Sequence, residues 1–156
     1  VTWHFIGKLQ SNKAKTIAQL FSWVHSVDRI KTAILLNEAR ADGLPPLNIC
    51  LQINFGEAQK SGISPEKAAE LAAQVAALPR LKLRGLMFIA PLNHDENQQY
   101  LYFARLKELL NLLNSKLTEQ LDTLSMGMSA DWPVAVRAGS TMIRIGTALF
   151  GNRYED

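Results

Sequence analysis

Ser125-Met126-Gly127-Met128-Ser129 and Gly139-Ser140-Thr141-Met142-Ile143-Arg144-Ile145-Gly146-Thr147 decide how this chain is read. Together they scan as strand, small-residue loop, short helix, strand and a second small-residue loop. Each loop can present backbone N–H groups and a hydroxyl at the start of a helix, where the helix dipole and the amides favour a phosphate. Two such loops after consecutive parallel strands put their donors side by side. In a (β/α)8 barrel, the loops that follow the last two strands form the common phosphate site. The rest of the chain is therefore expected to be the rest of such a barrel.

Working outward, the sequence alternates strand and helix throughout. Strands are expected near Trp3, Trp23, Ile49, Leu86, Leu124 and Ile143, with spans of 47–54, 83–89, 121–125 and 142–145 for the last four. Ser11 or Asn12 is the expected cap of the first helix and Asp28 that of the second. Pro65 suits the first position of the third helix. Leu101, Leu106, Leu109, Leu110 and Leu113 give a long fourth helix its apolar face, and Ser129 to Pro133 caps a helix running to Ala138. Strict alternation implies a parallel sheet with helical crossovers. A doubly wound dinucleotide fold is disfavoured, because no Gly-x-Gly-x-x-Gly follows any strand. Six βα units fall two short of the eight in a barrel that typically needs about 250 residues.

Composition agrees with one soluble core spanning residues 1–156: 47% of the 156 residues are hydrophobic and 20% charged. The net charge of +3 is small and dispersed, so no nucleic-acid stripe is expected. No run is long enough to span a membrane. Cys50 is the single cysteine, inside an apolar run, which fits a reducing cytoplasm. His25, His94 and Cys50 lack zinc-ligand spacing. The chain opens at Val1 on what reads as a strand already in progress, and is expected to begin part-way through the fold.

Longer motifs carry a resemblance. His4-Phe5-Ile6-Gly7-x-Leu9-Gln10-x-Asn12-Lys13, Lys60-Ser61-Gly62, Arg84-Gly85-Leu86-Met87, Ser125-Met126-Gly127-Met128-Ser129-x-Asp131 and Gly139-Ser140-Thr141-x-x-Arg144-Ile145-Gly146 resemble, in order, the motifs of the pyridoxal 5′-phosphate (PLP) homeostasis proteins. These are single-domain barrels similar to the N-terminal domain of alanine racemase. The resemblance implies a (β/α)8 TIM barrel of that type with about six of the eight βα units present. The missing two units would be the first, whose strand ends in the lysine that forms the Schiff base with PLP, and the second, with its Gly-Glu-Asn motif. No catalytic residue is expected within this chain.

The resemblance implies PLP as cofactor, with Ser129, Gly146 and Thr147 on its phosphate and Met128 beside them. Ser129 could equally be an ordinary N-cap of the following helix, and Gly146-Thr147 an ordinary turn. Arg144, alternating with Ile143 and Ile145, points either into the barrel mouth or towards the helices. The resemblance places it at the pyridine nitrogen, and the plain alternative is an ion pair with an inward carboxylate. His4 and Met87 would line the cofactor, or simply pack. Asn12 and Lys13 border the mouth or are cap and solvated surface. Lys60 is a minor candidate for reaching an aldehyde. The implied function is a cytoplasmic, non-enzymatic PLP carrier that holds the cofactor and delivers it to apo PLP-dependent enzymes, monomeric at full length. The rivals are a PLP-dependent amino-acid racemase and a plain phosphate-binding barrel. Without two units, this chain is expected to expose sheet edges and apolar helix faces, and so to be poorly stable or associated with other chains.

Overall fold

The computed structural model describes residues 1–57, 61–92 and 95–153. Among them, β1 (His4–Phe5), β2 (Trp23–Val27), β3 (Leu47–Gln52), β4 (Leu81–Met87), β5 (Thr123–Met128) and β6 (Met142–Arg144) form one sheet. The strands lie in sequence order and every neighbouring pair is parallel. Between and after them run α1 (Ala14–Leu20), α2 (Ile30–Ala39), α3 (Pro65–Ala76), α4 (Glu96–Lys116), α5 (Trp132–Arg137) and α6 (Thr147–Phe150). This order separates two architectures. A doubly wound sheet reverses its strand order at a switch point, and no reversal occurs here. Right-handed crossovers that never reverse put every helix on one face. The other face is then the inside of a partial (β/α)8 barrel.

Period-two alternation builds both faces. Leu47, Ile49, Leu51 and Ile53 of the third unit belong to the core shared with the helices, as do Leu81, Leu83, Leu86 and Phe88 of the fourth. Against them pack Leu36 of α2, Leu71 and Val75 of α3, and Phe103, Leu106 and Leu113 of α4. Each such buried side chain contributes roughly 1.5–3 kcal/mol, so the helices are held by packing. The alternate positions form the inner face and are mostly polar or small: Asn48, Cys50 and Gln52 on β3, Gly85 on β4, and Thr123 and Ser125 on β5, with Met87 of β4 the apolar exception beside Gln52 and Ser125.

Several local expectations change. α1 starts at Ala14 after a 3-10 turn (Ser11–Lys13), and neither Ser11 nor Asn12 caps it. Asp28 does not cap α2, where Arg29 takes that position. Its carboxylate instead accepts the Gly62 N–H at 3.0 Å, tying the β2–α2 loop to the β3–α3 loop. Pro65 does open α3. Leu101 is 62% exposed, outside the buried stripe of α4. β5 runs on to Met128 because its pairing with β6 continues, past an irregularity, to Met128↔Arg144. Gly127 makes that possible: its φ is +98°, and a Cβ there would lie 2.7 Å from the Cβ of Ala135. The apolar pattern around Ile143 predicts a buried β6, yet that strand lies at the end of the sheet with Ile143 exposed. Lys60 and His94 lie outside the described residues. No helix among the described residues is long and apolar enough to cross a membrane.

Candidate functional site

The inward face joins four strands through side chains. On β6, Arg144 donates from Nη1 to Ser125 Oγ of β5 (2.7 Å) and from Nη2 to the Phe88 carbonyl just beyond β4 (3.0 Å). Ser125 Oγ lies 2.7 Å from His25 Nδ1 of β2, and His25 Nε2 lies 3.0 Å from His4 Nδ1 of β1. Ser125 and His25 are fully buried. Burial, with the charges of His4 and Arg144, pushes the His25 imidazole down to about 4, and burial lowers His4 as well. Both rings are therefore neutral at pH 7. Burial also works against the Arg144 charge, but a guanidinium keeps its proton. It donates to a hydroxyl and a carbonyl, and the Asp131 carboxylate acts on it through its charge, without an ion-pair contact among the described residues.

A second layer lies towards the strand starts. His4 stacks on Trp23 with ring centroids 5.3 Å apart, and the Arg84 guanidinium lies 4.7 Å from the Trp23 ring centre. Arg84 also forks onto Asp122 (3.1 and 2.9 Å) and bonds Asn48 (3.1 Å). Those bonds hold the Asp122 carboxyl below the usual carboxylate range. Burial pushes the Cys50 thiol up to about 12, so it is an unreactive packing residue.

The two small-residue loops meet at one oxygen. Ser129 Oγ accepts the backbone N–H of Gly146 (3.3 Å) and of Ala148 (3.2 Å). Ser129 is therefore not the cap of its own helix. Asp131 occupies the position before α5, and its carboxylate takes the Met128 N–H at 2.7 Å. Ser140 and Thr141 are structural. The Ser140 hydroxyl donates to the Met126 carbonyl (2.6 Å), and Thr141 Oγ1 accepts the Leu124 N–H (2.8 Å). These bonds stitch β5 to β6 and hold the two loops together.

The structure thus brings Ser129, Gly146, Thr147 and Arg144 to one end of β5 and β6. Met128 is paired in register with Arg144 and is 41% exposed at the same rim. His4 reaches the group only through His25 and Ser125. Met87 is fully buried, paired in register with Ser125, and supports the site from within. Asn12 and Lys13 lie exposed on the turn before α1. Sequence reasoning missed His25 and the Phe88 carbonyl, and it counted Ser125 only as part of a motif. The alternation of Trp23 and His25 on one strand face was the signal available for His25. Among the described residues, no group of three or more His, Cys, Asp and Glu side chains is placed to hold a metal.

PLP asks such a site for convergent amides at its phosphate and a fixed polar group at its ring. Two amides here already converge on a single oxygen, that of Ser129, and a Cβ built on Gly146 would meet nothing within 4 Å. A partly buried cation stands on the preceding strand. The donor set fits the group.

Comparison with known proteins agrees. Residues 2–154 match the family described as alanine racemase, N-terminal domain. The chain is 56% identical over 154 residues to the pyridoxal phosphate homeostasis protein of Pseudomonas aeruginosa, covering 98% of this chain and 65% of that protein. It is 51% identical over 152 residues to the protein of the same name from Vibrio cholerae, covering 97% and 64%. The chain therefore spans slightly less than two thirds of the length of these relatives. The solved structure of PipY from Synechococcus elongatus with PLP bound superposes with a TM-score of 0.90 at 38% identity, covering 97% of this chain and 71% of that one. The motifs, the sequentially ordered parallel sheet and the match along nearly its whole length lead to one conclusion: the chain belongs to the alanine racemase N-terminal domain family.

Proposed function

We propose that this chain is the phosphate-binding part of a protein that binds PLP, holds it and passes it to apo-enzymes, without turning over a substrate of its own. The observation that carries this reading is the convergence of the Gly146 and Ala148 amides on the Ser129 oxygen, one strand-end away from the Arg144 guanidinium. The names of the relatives and the PLP-bound state of PipY support it. In this reading Ser129, Gly146 and Thr147 hold the phosphate. Arg144 faces the ring, while Met128, Met87 and His4 shape and support the wall. Bound PLP supplies an aldehyde and an electron-withdrawing ring. Arg144 does not give up its proton, so a ring nitrogen beside it stays unprotonated and the ring is a weak electron sink. That favours holding over racemisation, which needs a strong sink and acid–base groups on both ring faces. We further propose that two upstream βα units close the barrel and bring the lysine that reacts with the aldehyde. The lone buried Cys50 is in keeping with a cytoplasmic setting.

The test compares this chain with a form extended upstream to the length of its relatives. In the extended form, Arg144→Ala and Thr147→Ala should each weaken PLP retention, read by equilibrium dialysis, by roughly 10-fold or more, as expected for losing a hydrogen bond to a charged group. Inorganic phosphate should compete far more weakly than PLP itself. Retention unchanged in both variants would misplace the site. Competition by phosphate as strong as by PLP would favour a plain phosphate-binding barrel.

A further inference from the structure

The interior of a barrel is cheaper to fill with apolar side chains than with a polar chain that must satisfy every donor and acceptor. This barrel nevertheless carries a side-chain relay across its inner face, from Arg144 on β6 through Ser125 and His25 to His4 on β1. We propose that Ser125 and His25 are positioning residues, which clamp the Arg144 guanidinium in one orientation and so present a fixed donor to the ring of bound PLP. This rests on the function proposed above and adds to it the residues that aim Arg144.

Donors and acceptors fix the direction of the relay. Arg144 can only donate. Its bond therefore occupies a lone pair of Ser125 Oγ, and the hydroxyl hydrogen is left to go to His25 Nδ1, 2.7 Å away. His25 then carries its hydrogen on Nε2 and donates it to His4 Nδ1, 3.0 Å away, which leaves His4 with its own hydrogen on Nε2. The relay runs one way, with both imidazoles neutral. A cationic His25 would set a second positive charge towards Arg144 and make Ser125 accept from both sides, with nowhere among these partners for its hydrogen. The Phe88 carbonyl takes a second N–H from the other side of the guanidinium. Two of the five Arg144 donors are thus spent on fixing the plane, and the other three have no protein acceptor among the described residues. Met87, fully buried, is the in-register neighbour of Ser125 on β4. Ser125 lies on the strand, four residues before Ser129, so removing its hydroxyl leaves the phosphate loops in place.

The experiment uses the upstream-extended protein with PLP as probe, comparing Ser125→Ala with Ser125→Thr. Ser125→Ala should lower PLP affinity about 10-fold, the scale of one lost hydrogen bond, and should alter the absorption band of bound PLP and its pH dependence. The dissociation constant of inorganic phosphate itself should stay unchanged. Ser125→Thr, which keeps the hydroxyl, should restore affinity and spectrum. Nitrogen-15 NMR of the unliganded, unmutated protein should find His4 and His25 neutral at pH 7 and protonated on Nε2. A Ser125→Ala protein with an unaltered spectrum and affinity overturns the inference while leaving PLP binding intact. His25 protonated on Nδ1 overturns it even if Ser125→Ala fails to fold. An unmutated protein that binds no PLP overturns the proposed function and this inference together.

Discussion

Gly85→Ala is expected to destabilise the protein by about 3 kcal/mol or more, at the upper end of what forcing atoms into a packed interior costs. The reason is a backbone contact rather than glycine's conformational freedom. Gly85 of β4 is paired in register with Thr123 of β5. A Cβ built on it would lie 1.8 Å from the Thr123 carbonyl oxygen, 2.6 Å from the carbonyl carbon and 3.0 Å from Cα. None of these atoms can rotate away, so the two strands must separate. β5 carries Ser125, then leads directly to Ser129, so opening the pair also disturbs the site. Gly43 is the control: a methyl group added there would meet nothing within 4 Å, and alanine should change stability by no more than about 0.5 kcal/mol. Urea unfolding of the two variants beside the parent decides the matter. A Gly85→Ala midpoint close to that of Gly43→Ala would show that the strands part more easily than their geometry implies.

The architecture was legible because it is written in local pattern. Leu47, Ile49 and Leu51 alternate with Asn48, Cys50 and Gln52, which marks a strand with two unlike faces. Repeating strand and helix then leaves few topologies open. The two loops that meet at Ser129 were legible as small residues after strands. What sequence reasoning could not supply was partner choice between distant elements. Asp28 looks like a helix cap, yet its carboxylate is taken by the Gly62 amide from the next loop. Ser129 also looks like a cap, and its oxygen instead serves amides that follow β6. The relay depends on inter-strand register, which shifts between Val24 and Val27, between Ile49 and Cys50, and between Ser125 and Met128. Each shift changes which side chains oppose one another, and nothing in a single strand's own pattern records it.

Acidification from about pH 6.5 to about pH 4 is expected to cost the protein about 3 kcal/mol through His25 alone. The unfolded chain protonates this imidazole near its ordinary value of 6.5, while the folded one resists until about 4. Between those values the unfolded state binds more protons, so stability falls as pH falls. It is fully present above 6.5, and the His25 share of the loss is complete below 4. Three causes act together: burial first, then the His4 ring, then the Arg144 charge. His4, also lowered by burial, acts in the same direction. The carboxylates belong to a different window, since Asp122 is held below its ordinary 3.8 by Arg84 and its loss comes at lower pH. His25→Asn separates the contributions, because its amide oxygen can still accept from Ser125 but does not titrate. That variant should be less stable than the parent at pH 7 and should have a much flatter profile between pH 6.5 and 4. Denaturant midpoints at pH 7, 5.5 and 4 measure it. A parent whose stability does not change across this window has a His25 that is already charged, or free to leave Ser125. A slope that survives unchanged in His25→Asn belongs to some other group.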